Sequence, residues 1–549
     1  MTHRRITIPL AGALLTGTVL LGATSGSVTA SVYACTTPAA PADALQFGFI
    51  GRFSAGALPS GQTAAEIVAY EQNTLYVMSL GAVDVVDITD PAAPTRTSTI
   101  SLPGDPTSVA VDDGLVAISV PAADKTLPGA VLFFAEGVQI GAVEVGALPD
   151  MVTITPDGKR LLVANEAEPN SYGAPGSVDP EGSISIIELK ELRKSAKEVG
   201  KTRGGKPAQI PEVVTISFSD FNIGGSRAAE LPAGVRLFGP GSSVAQDLEP
   251  EYITVADDSK TAWVSLQENN ALAILDLKKQ RVSSIVALGT NDHSRPGFGI
   301  DASDQGGTID IRNWPVQGMY MPDGIANYEV KGQPYVLTAN EGDARDWPGV
   351  SSNGEEARRA RSVADLTLFP DASDNTKLGR LNVTPFAPAS SGPTGKLTSL
   401  YSFGSRSFSI RSADGSLVWD SGDDFECLTA SALPTRFNAS NSNDTIKNRS
   451  DDKGPEPESV VVGSIGKRQY AFVGLERIGG AMVYDITDPA APAFQQYLTT
   501  RTFGGAVVGP DSGPEGMMFI PARQSPTHQP LLVYGNEVTG TVAIWGLTG

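Results

Sequence analysis

The octapeptide Asp87-Ile88-Thr89-Asp90-Pro91-Ala92-Ala93-Pro94 recurs unchanged as Asp485-Ile486-Thr487-Asp488-Pro489-Ala490-Ala491-Pro492, near the other end of a 549-residue chain. Each copy follows two short apolar runs of strand character. Repetition of this kind restricts a chain to architectures built from one supersecondary unit. Extended outward, the two copies reveal a looser unit: a Pro or small residue, an acid, a strand, a turn, a second strand ending in Asn-Glu or similar, then a third strand. Seven starts fit it: Glu66 (EIVAY), Thr107 (TSVAV), Asp150 (DMVTI), Glu251 (EYITV), Asp323 (DGIAN), Glu458 (ESVVV) and Glu515 (EGMMF). Second strands follow as TLYVMSL, LVAISV, RLLVANE, TAWVSLQE, PYVLTANE, QYAFVGLE and LLVYGNE. Third and fourth strands are readable for most units, for example AVDVVDI with TSTISL. Four antiparallel strands, seven times over, predict an all-β seven-bladed β-propeller. After Glu515 only three strands' worth of chain remains. The run 45–53 is expected to supply the fourth strand of the last blade, closing the ring and removing an exposed edge. Two β domains in tandem are the competing arrangement.

Composition agrees with many short strands. Gly 59 and Pro 39 disfavour a helical bundle, and 41% hydrophobic residues suffice for a large core. A formal charge of −20 argues against a nucleic-acid partner, which needs clustered Lys and Arg, and permits divalent cations. Three His and two Cys exclude a His- or Cys-rich zinc architecture and a disulfide-dense scaffold. Cys35 and Cys427 can form one disulfide in an oxidising compartment.

Residues 1–30 read as an export signal. Arg4 and Arg5 precede an apolar stretch, 8–23, that is short for a membrane span. Val28-Thr29-Ala30 fits a cleavage site, and Val32-Tyr33-Ala34 is a second candidate. Read with Cys35, the latter also resembles a lipoprotein box, in which Tyr33 fits poorly. An uncleaved anchor is the remaining alternative. After a tail over 31–44, a single propeller is expected over 45–549. The mature protein is expected to be a monomer outside the cytoplasm, secreted or periplasmic or held at the envelope, with no transmembrane segment.

Strand direction gathers the acids. In an antiparallel blade, the start of strand one and the end of strand two lie at the same end. Glu66, Asp150, Glu251, Asp323, Glu458 and Glu515 stand at strand-one starts. Glu166, Glu268, Glu341, Glu476 and Glu537 stand at strand-two ends, with Asn165, Asn340 and Asn536 beside three of them. All are expected at one mouth of the central channel, where so many carboxylates repel strongly. Protons, Arg and Lys partners, or metal ions must relieve that repulsion. Oxygen ligands suit Ca²⁺ or Mg²⁺ rather than a softer metal. The bland reading is that each acid caps a strand and faces water.

The long insertions 167–182, 221–248, 290–320, 343–397 and 422–457 emerge at the same mouth, and loops of this kind carry function. The run 301–307 alternates acids with small residues and can wrap Ca²⁺ or form an Asx-turn. Residues 341–347 place Glu341, Asp343 and Arg345 together. The run 355–361 reads as a short helix whose Arg358 can hold an anion or pair with Glu. Residues 438–452 read as a polar surface loop with glycosylation-type sequons at Asn438 and Asn448. The loop 190–206, on the opposite face, reads as a basic, solvated linker. Of nucleophile elbows, zincin motifs and P-loops there is none, and nothing marks a Ser for a Ser-His-Asp triad.

The runs LPDMVTITPDGKRLLVANEAEP, DPEGSISIIEL, EPEYITV, TAWVSLQENNALAILDL, GIDASDQGG, MPDGIANYE, LTANEGDARDW, VWDSGDDFE, KGPEPESVVVG, SGPEGMMF and YGNEVTGTVAIW, in that order, resemble the choice-of-anchor I family. The resemblance spans about residues 45 to 549. It implies a secreted or surface-attached propeller similar to mesenchyme-specific cell-surface glycoproteins. Members often carry a C-terminal anchor, which is not expected after Gly549. Members are often labelled alkaline phosphatase-like, and the Pro-Glu-Gly and Asn-Glu elements are similar to those of phytase-type propellers, whose carboxylates bind Ca²⁺ and orient phosphate. Two functions follow as expectations. One is a metal-dependent phosphoesterase in which Glu251, Asp323, Glu341, Glu458, Glu515 and Glu537 act as ligands or general base, Glu341 and Glu515 foremost, and Arg345 and Arg358 hold phosphate. The other is a Ca²⁺-binding surface or matrix protein without turnover.

Overall fold

The computed structural model describes residues 35–548, apart from 57, 60, 200–210, 388–391, 393, 394 and 505–508. The export signal expected over 1–30 lies outside the described residues. Seven four-stranded antiparallel sheets organise the chain. Sheets 1 to 6 fall within 68–101, 108–147, 149–217, 250–287, 325–420 and 457–498. Sheet 7 takes three strands from 514–547 and its fourth from Phe47–Ser54, which pairs antiparallel with Thr541–Leu547. Each sheet is open, with two edge strands.

Strand alternation explains how the sheets assemble. Successive side chains of a strand point to opposite faces, so a strand buried on both faces is apolar throughout. In Thr74–Ser79, Leu75 and Val77 join the apolar cluster shared with sheet 7. Tyr76 and Met78 join the cluster shared with sheet 2. Every consecutive pair of sheets shares a cluster of this kind. The first strand of each sheet also touches the first strand of the next, and Pro514–Ile520 of sheet 7 touches Val68–Glu71 of sheet 1. The core is therefore distributed between the sheets, as in a β-propeller, rather than gathered at one centre.

The N-terminal segment is fixed at two further points. Arg52 donates to the buried Asp511 carboxylate through Nε at 2.8 Å. Cys35 is disulfide-bonded to Cys427, which lies in the helix Asp424–Ala432 between sheets 5 and 6.

The long connections build a separate layer. Residues of 300–316 and 360–400, among them Trp314, Val316, Leu378 and Leu381, form an apolar core of their own. The third strand of sheet 5, Ser407–Ser412, resumes only after the 343–397 insertion, and the repeat pattern leaves it unassigned.

Three loop expectations are corrected. Lys190–Val199 is a helix rather than a solvated linker, because Leu192, Ala196 and Val199 pack into the core between sheets 2 and 3. Residues 201–206 lie outside the described residues. In the 355–361 run, Arg358–Arg359 is extended and pairs with Asn382–Val383; the helix begins only at Ala360–Val363. The 438–452 segment is not a surface loop. Asn438, Asn441, Lys447 and Ser450 are buried, and the Asn438 amide donates to Glu426 at 3.1 Å, which removes it as a glycosylation acceptor.

A disulfide joining residues so far apart in sequence restricts the unfolded chain strongly. Reduction, or Cys427→Ser, is expected to lower unfolding free energy by about 2–5 kcal/mol. Denaturant midpoints of the oxidised and reduced protein check this.

Candidate metal centre

A recurring backbone device aims the acids. Residues Leu148, Met321, Glu456 and Gly513 have positive φ, and each is followed by Pro and then by an acid: Asp150, Asp323, Glu458 and Glu515. The ladder is irregular at the acid in four sheets, between Pro149 and Met151, Pro250 and Ile253, Pro457 and Val460, and Pro514 and Met517. Such a bulge turns a side chain out of the pleat. The left-handed residue then receives the end of the second strand. Glu166 N–H donates to Leu148 O at 2.9 Å, Glu476 N–H to Glu456 O at 2.8 Å, and Glu537 N–H to Gly513 O at 2.7 Å. In sheets 3, 6 and 7 two acids are thereby brought to one level.

Neighbouring sheets are joined at that level by backbone contact. Gly324 N–H donates to Glu458 O at 2.9 Å, and Gly516 N–H to Glu66 O at 2.7 Å. A Cβ on either glycine would lie within 2.7 Å of the same carbonyl oxygen, so only glycine admits this approach.

The result is a cavity of about 390 Å³ lined by Glu66, Asp150, Glu166, Glu251, Asp323, Glu341, Glu458, Glu476, Glu515 and Glu537, with Asp343 of the adjoining insertion as an eleventh acid. Glu268 does not line it. Its place is taken by Gln267, because the second strand of sheet 4 ends at Leu266 and the next residue, not the one after, faces the cavity. Asn165, Asn340 and Asn536 also turn away. As the last strand residues they point opposite to the adjacent Glu. Asn165 and Asn340 donate to serines of the third strand, and Asn536 donates to Thr541 O.

Arg345 and Arg358 stay outside the cavity. Arg345 is buried and consumed by Asp247 and by Glu249, to which Nε donates at 2.9 Å. Arg358 donates to the carbonyls of Glu355 and Ala357 and to Asn353. The cations that do line the cavity are Lys453 and Arg477. Both lie in runs that the repeat reading treated as strand boundary; Lys453 stands in the KGPEPE run, the one available signal.

The acids divide into two groups by their partners. Glu341, Glu456 and Glu476 bring carboxylate oxygens within 4.8 Å of one another. Lys453 Nζ lies 2.5 Å from Glu341 and 3.2 Å from Glu456. Arg449 and Arg477 contact Glu456 at 2.6 and 3.0 Å, and Arg477 contacts Glu476 at 2.9 Å. Burial would raise the Glu456 carboxyl, but Lys453, Arg449 and Arg477 hold it well below the usual range. Asp323, Glu458 and Glu515 form the second group, again within 4.8 Å. Burial, then the neighbouring carboxylates, push Glu458 and Glu515 well above the ordinary range. The same causes push Asp150 up to about 7. Burial carries Glu268 to about 7 and Glu476 to about 8, against the pull of Arg345 and Arg477 respectively. Oxygens of Glu251, Glu268 and Glu458 are buried with no hydrogen-bond partner.

The 301–307 run holds a cation of a different kind. The buried Lys447 Nζ donates to Gln305 O at 3.1 Å and Thr308 O at 2.7 Å, and lies 3.2 Å from Asp301. An ammonium thus occupies the position where the alternating acids pointed to Ca²⁺.

A family model described as the choice-of-anchor I domain matches residues 66–489. The chain belongs to this family. It is 34% identical over 207 residues to Gigasin-3a of Magallana gigas, covering 35% of this chain and 69% of that protein. It is 29% identical over 276 residues to the mesenchyme-specific cell surface glycoprotein of Strongylocentrotus purpuratus, covering 44% of this chain and 35% of that one. Among solved structures, hydrazine synthase of Kuenenia stuttgartiensis aligns with a TM-score of 0.42 at 12% identity, covering 90% of this chain and 98% of that chain. The β-propeller domain of Cps50 (Swd1) from Myceliophteria thermophila aligns at 0.40 with 9% identity, covering 90% and 100%. Among the described residues of this choice-of-anchor I protein, no helix is long and apolar enough to cross a bilayer.

Two outcomes are expected. Arg345→Ala leaves Asp247 and Glu249 buried without their counter-charge, and should cost about 3–5 kcal/mol by denaturant unfolding. Acids whose folded pKa lies above the unfolded value stabilise the fold below about pH 4 and lose that contribution as pH rises through 7 to 8. In chelator, the melting temperature should therefore fall between pH 5 and pH 8, as calorimetry would record.

Proposed function

We propose that this chain is an extracellular or cell-surface seven-bladed propeller, closed by Phe47–Ser54, whose acidic mouth binds a hard divalent cation, Ca²⁺ or Mg²⁺. The observation that carries the reading is the convergence of eleven carboxyl groups on one cavity with buried, unpartnered oxygens on Glu251 and Glu458. A carboxylate is an acceptor only, so a buried oxygen without a donor calls for a proton or a cation. Among the described residues no His or Cys lines the cavity, and an all-oxygen donor set favours Ca²⁺ or Mg²⁺. The surface location is supported by the name of the sea-urchin relative and by the disulfide, which persists in oxidising compartments.

A metal-dependent phosphoesterase is the second reading. It is favoured by one observation: Lys453 and Arg477 line the same cavity as the acids. A cation held by carboxylates can polarise a phosphoryl oxygen and lower the pKa of an attacking water. In this reading Lys453 and Arg477, rather than Arg345 and Arg358, face the phosphate, and Glu341 or Glu515 serves as ligand or base.

Purified protein should melt higher in Ca²⁺ than in chelator, with the larger difference at pH 8 than at pH 5. A melting temperature insensitive to both ions would end the cation reading. Release of phosphate from monoesters that stops with chelator and returns with Ca²⁺ would select the hydrolase; binding without release would select the surface or matrix protein.

A further inference from the structure

We infer that the mouth holds two cations of different kinds: an exchangeable divalent ion among Asp323, Glu458 and Glu515, and a permanent one, the Lys453 ammonium, among Glu341, Asp343 and Glu456. This rests on the cation-binding reading above and assigns it to one seat.

The two groups are alike in geometry and unlike in charge. Each brings three carboxylate oxygens within 4.8 Å of one another. In the first, Lys453 Nζ stands 2.5 Å from Glu341, 3.2 Å from Glu456 and 3.4 Å from Asp343, and Arg449 and Arg477 add to the neutralisation. That seat is filled. Among the described residues, Asp323, Glu458 and Glu515 make no ion-pair contact with Lys or Arg. Glu458 is only 9% exposed, lines the cavity, and leaves its Oε2 without a donor.

This second seat is also built rather than accidental. Pro457 and Pro514 restrict the backbone before Glu458 and Glu515, and the Gly324 N–H to Glu458 O bond fixes Asp323 beside its neighbour. Preorganised oxygens at this separation can close on an ion without reorganising the strands. The device of a tethered ammonium is used twice in this chain, since Lys447 fills the oxygen cage of 301–308 in the same manner.

The test is a calorimetric titration of the full folded chain with Ca²⁺, together with anomalous diffraction from crystals soaked in Tb³⁺. One site per chain is expected, with the Tb³⁺ peak between Asp323, Glu458 and Glu515. Glu458→Gln, which keeps shape and removes charge, should weaken Ca²⁺ on the order of 100-fold. Lys453→Met should raise the stoichiometry from one to two by vacating the other seat. A peak among Glu341, Glu456 and Glu476 in the wild type, or undiminished affinity in Glu458→Gln, would overturn the assignment and leave the general reading standing. Absence of any Ca²⁺ or Tb³⁺ binding by the wild type would overturn both. Should Lys453→Met fail to fold, the wild-type stoichiometry and the Tb³⁺ position decide the matter.

Discussion

Like charges crowded into a space of low dielectric cannot all remain charged and unpaired. Eleven carboxyl groups share one cavity of about 390 Å³ in this protein, and the rest of the mouth is arranged around that fact. On one side Lys453, Arg449 and Arg477 neutralise Glu341, Glu456 and Glu476. On the other, Asp323, Glu458 and Glu515 keep their repulsion, and burial raises their affinity for protons. The asymmetry between the two sides sets a group of acids with no Lys or Arg ion pair among the described residues apart from a group that is neutralised.

The acids are held there by backbone, not by side-chain packing. At Asp150, Glu458 and Glu515 a left-handed residue, a proline and a bulge re-aim the strand-one acid, and the carbonyl of the left-handed residue receives the strand-two end. Two glycines let adjacent sheets meet at backbone distance. Positions set in this way cannot relax apart when they become charged, because each is pinned by hydrogen bonds belonging to the sheets. Around this rim the insertions form a second, ion-paired layer. Arg345 joins 343–346 to Asp247 and Glu249, and Arg406 joins Asp301 O to Glu426. Beside its own apolar core that layer carries buried ion pairs, which are specified by donors and acceptors rather than by apolar periodicity.

The repeat was legible in the sequence because alternation and turns are local: EIVAY, TLYVMSL and AVDVVDI each reveal strand character within a few residues. The same locality located ten of the cavity's acids, since strand direction fixes which ends coincide. It failed where a single residue of register matters. Glu268 and Gln267 are adjacent, and only the observed end of the strand at Leu266 decides which of them faces the cavity. It failed again at 438–452, whose polar residues suggest solvent yet are buried against Glu426, Glu476 and Gln305.

By itself, then, the sequence determined the unit, its repetition, the acidic level and the family, because all of these are written in short-range pattern. The tertiary structure alone decided which charges are paired. Arg345 and Lys453 are each a basic residue within a few positions of acids, and nothing local separates them. One is consumed by Asp247 and Glu249 behind the rim; the other stands in the cavity between Glu341 and Glu456. Partners brought from residues far apart in the chain make that difference, and their meeting depends on how the sheets and insertions close over one another.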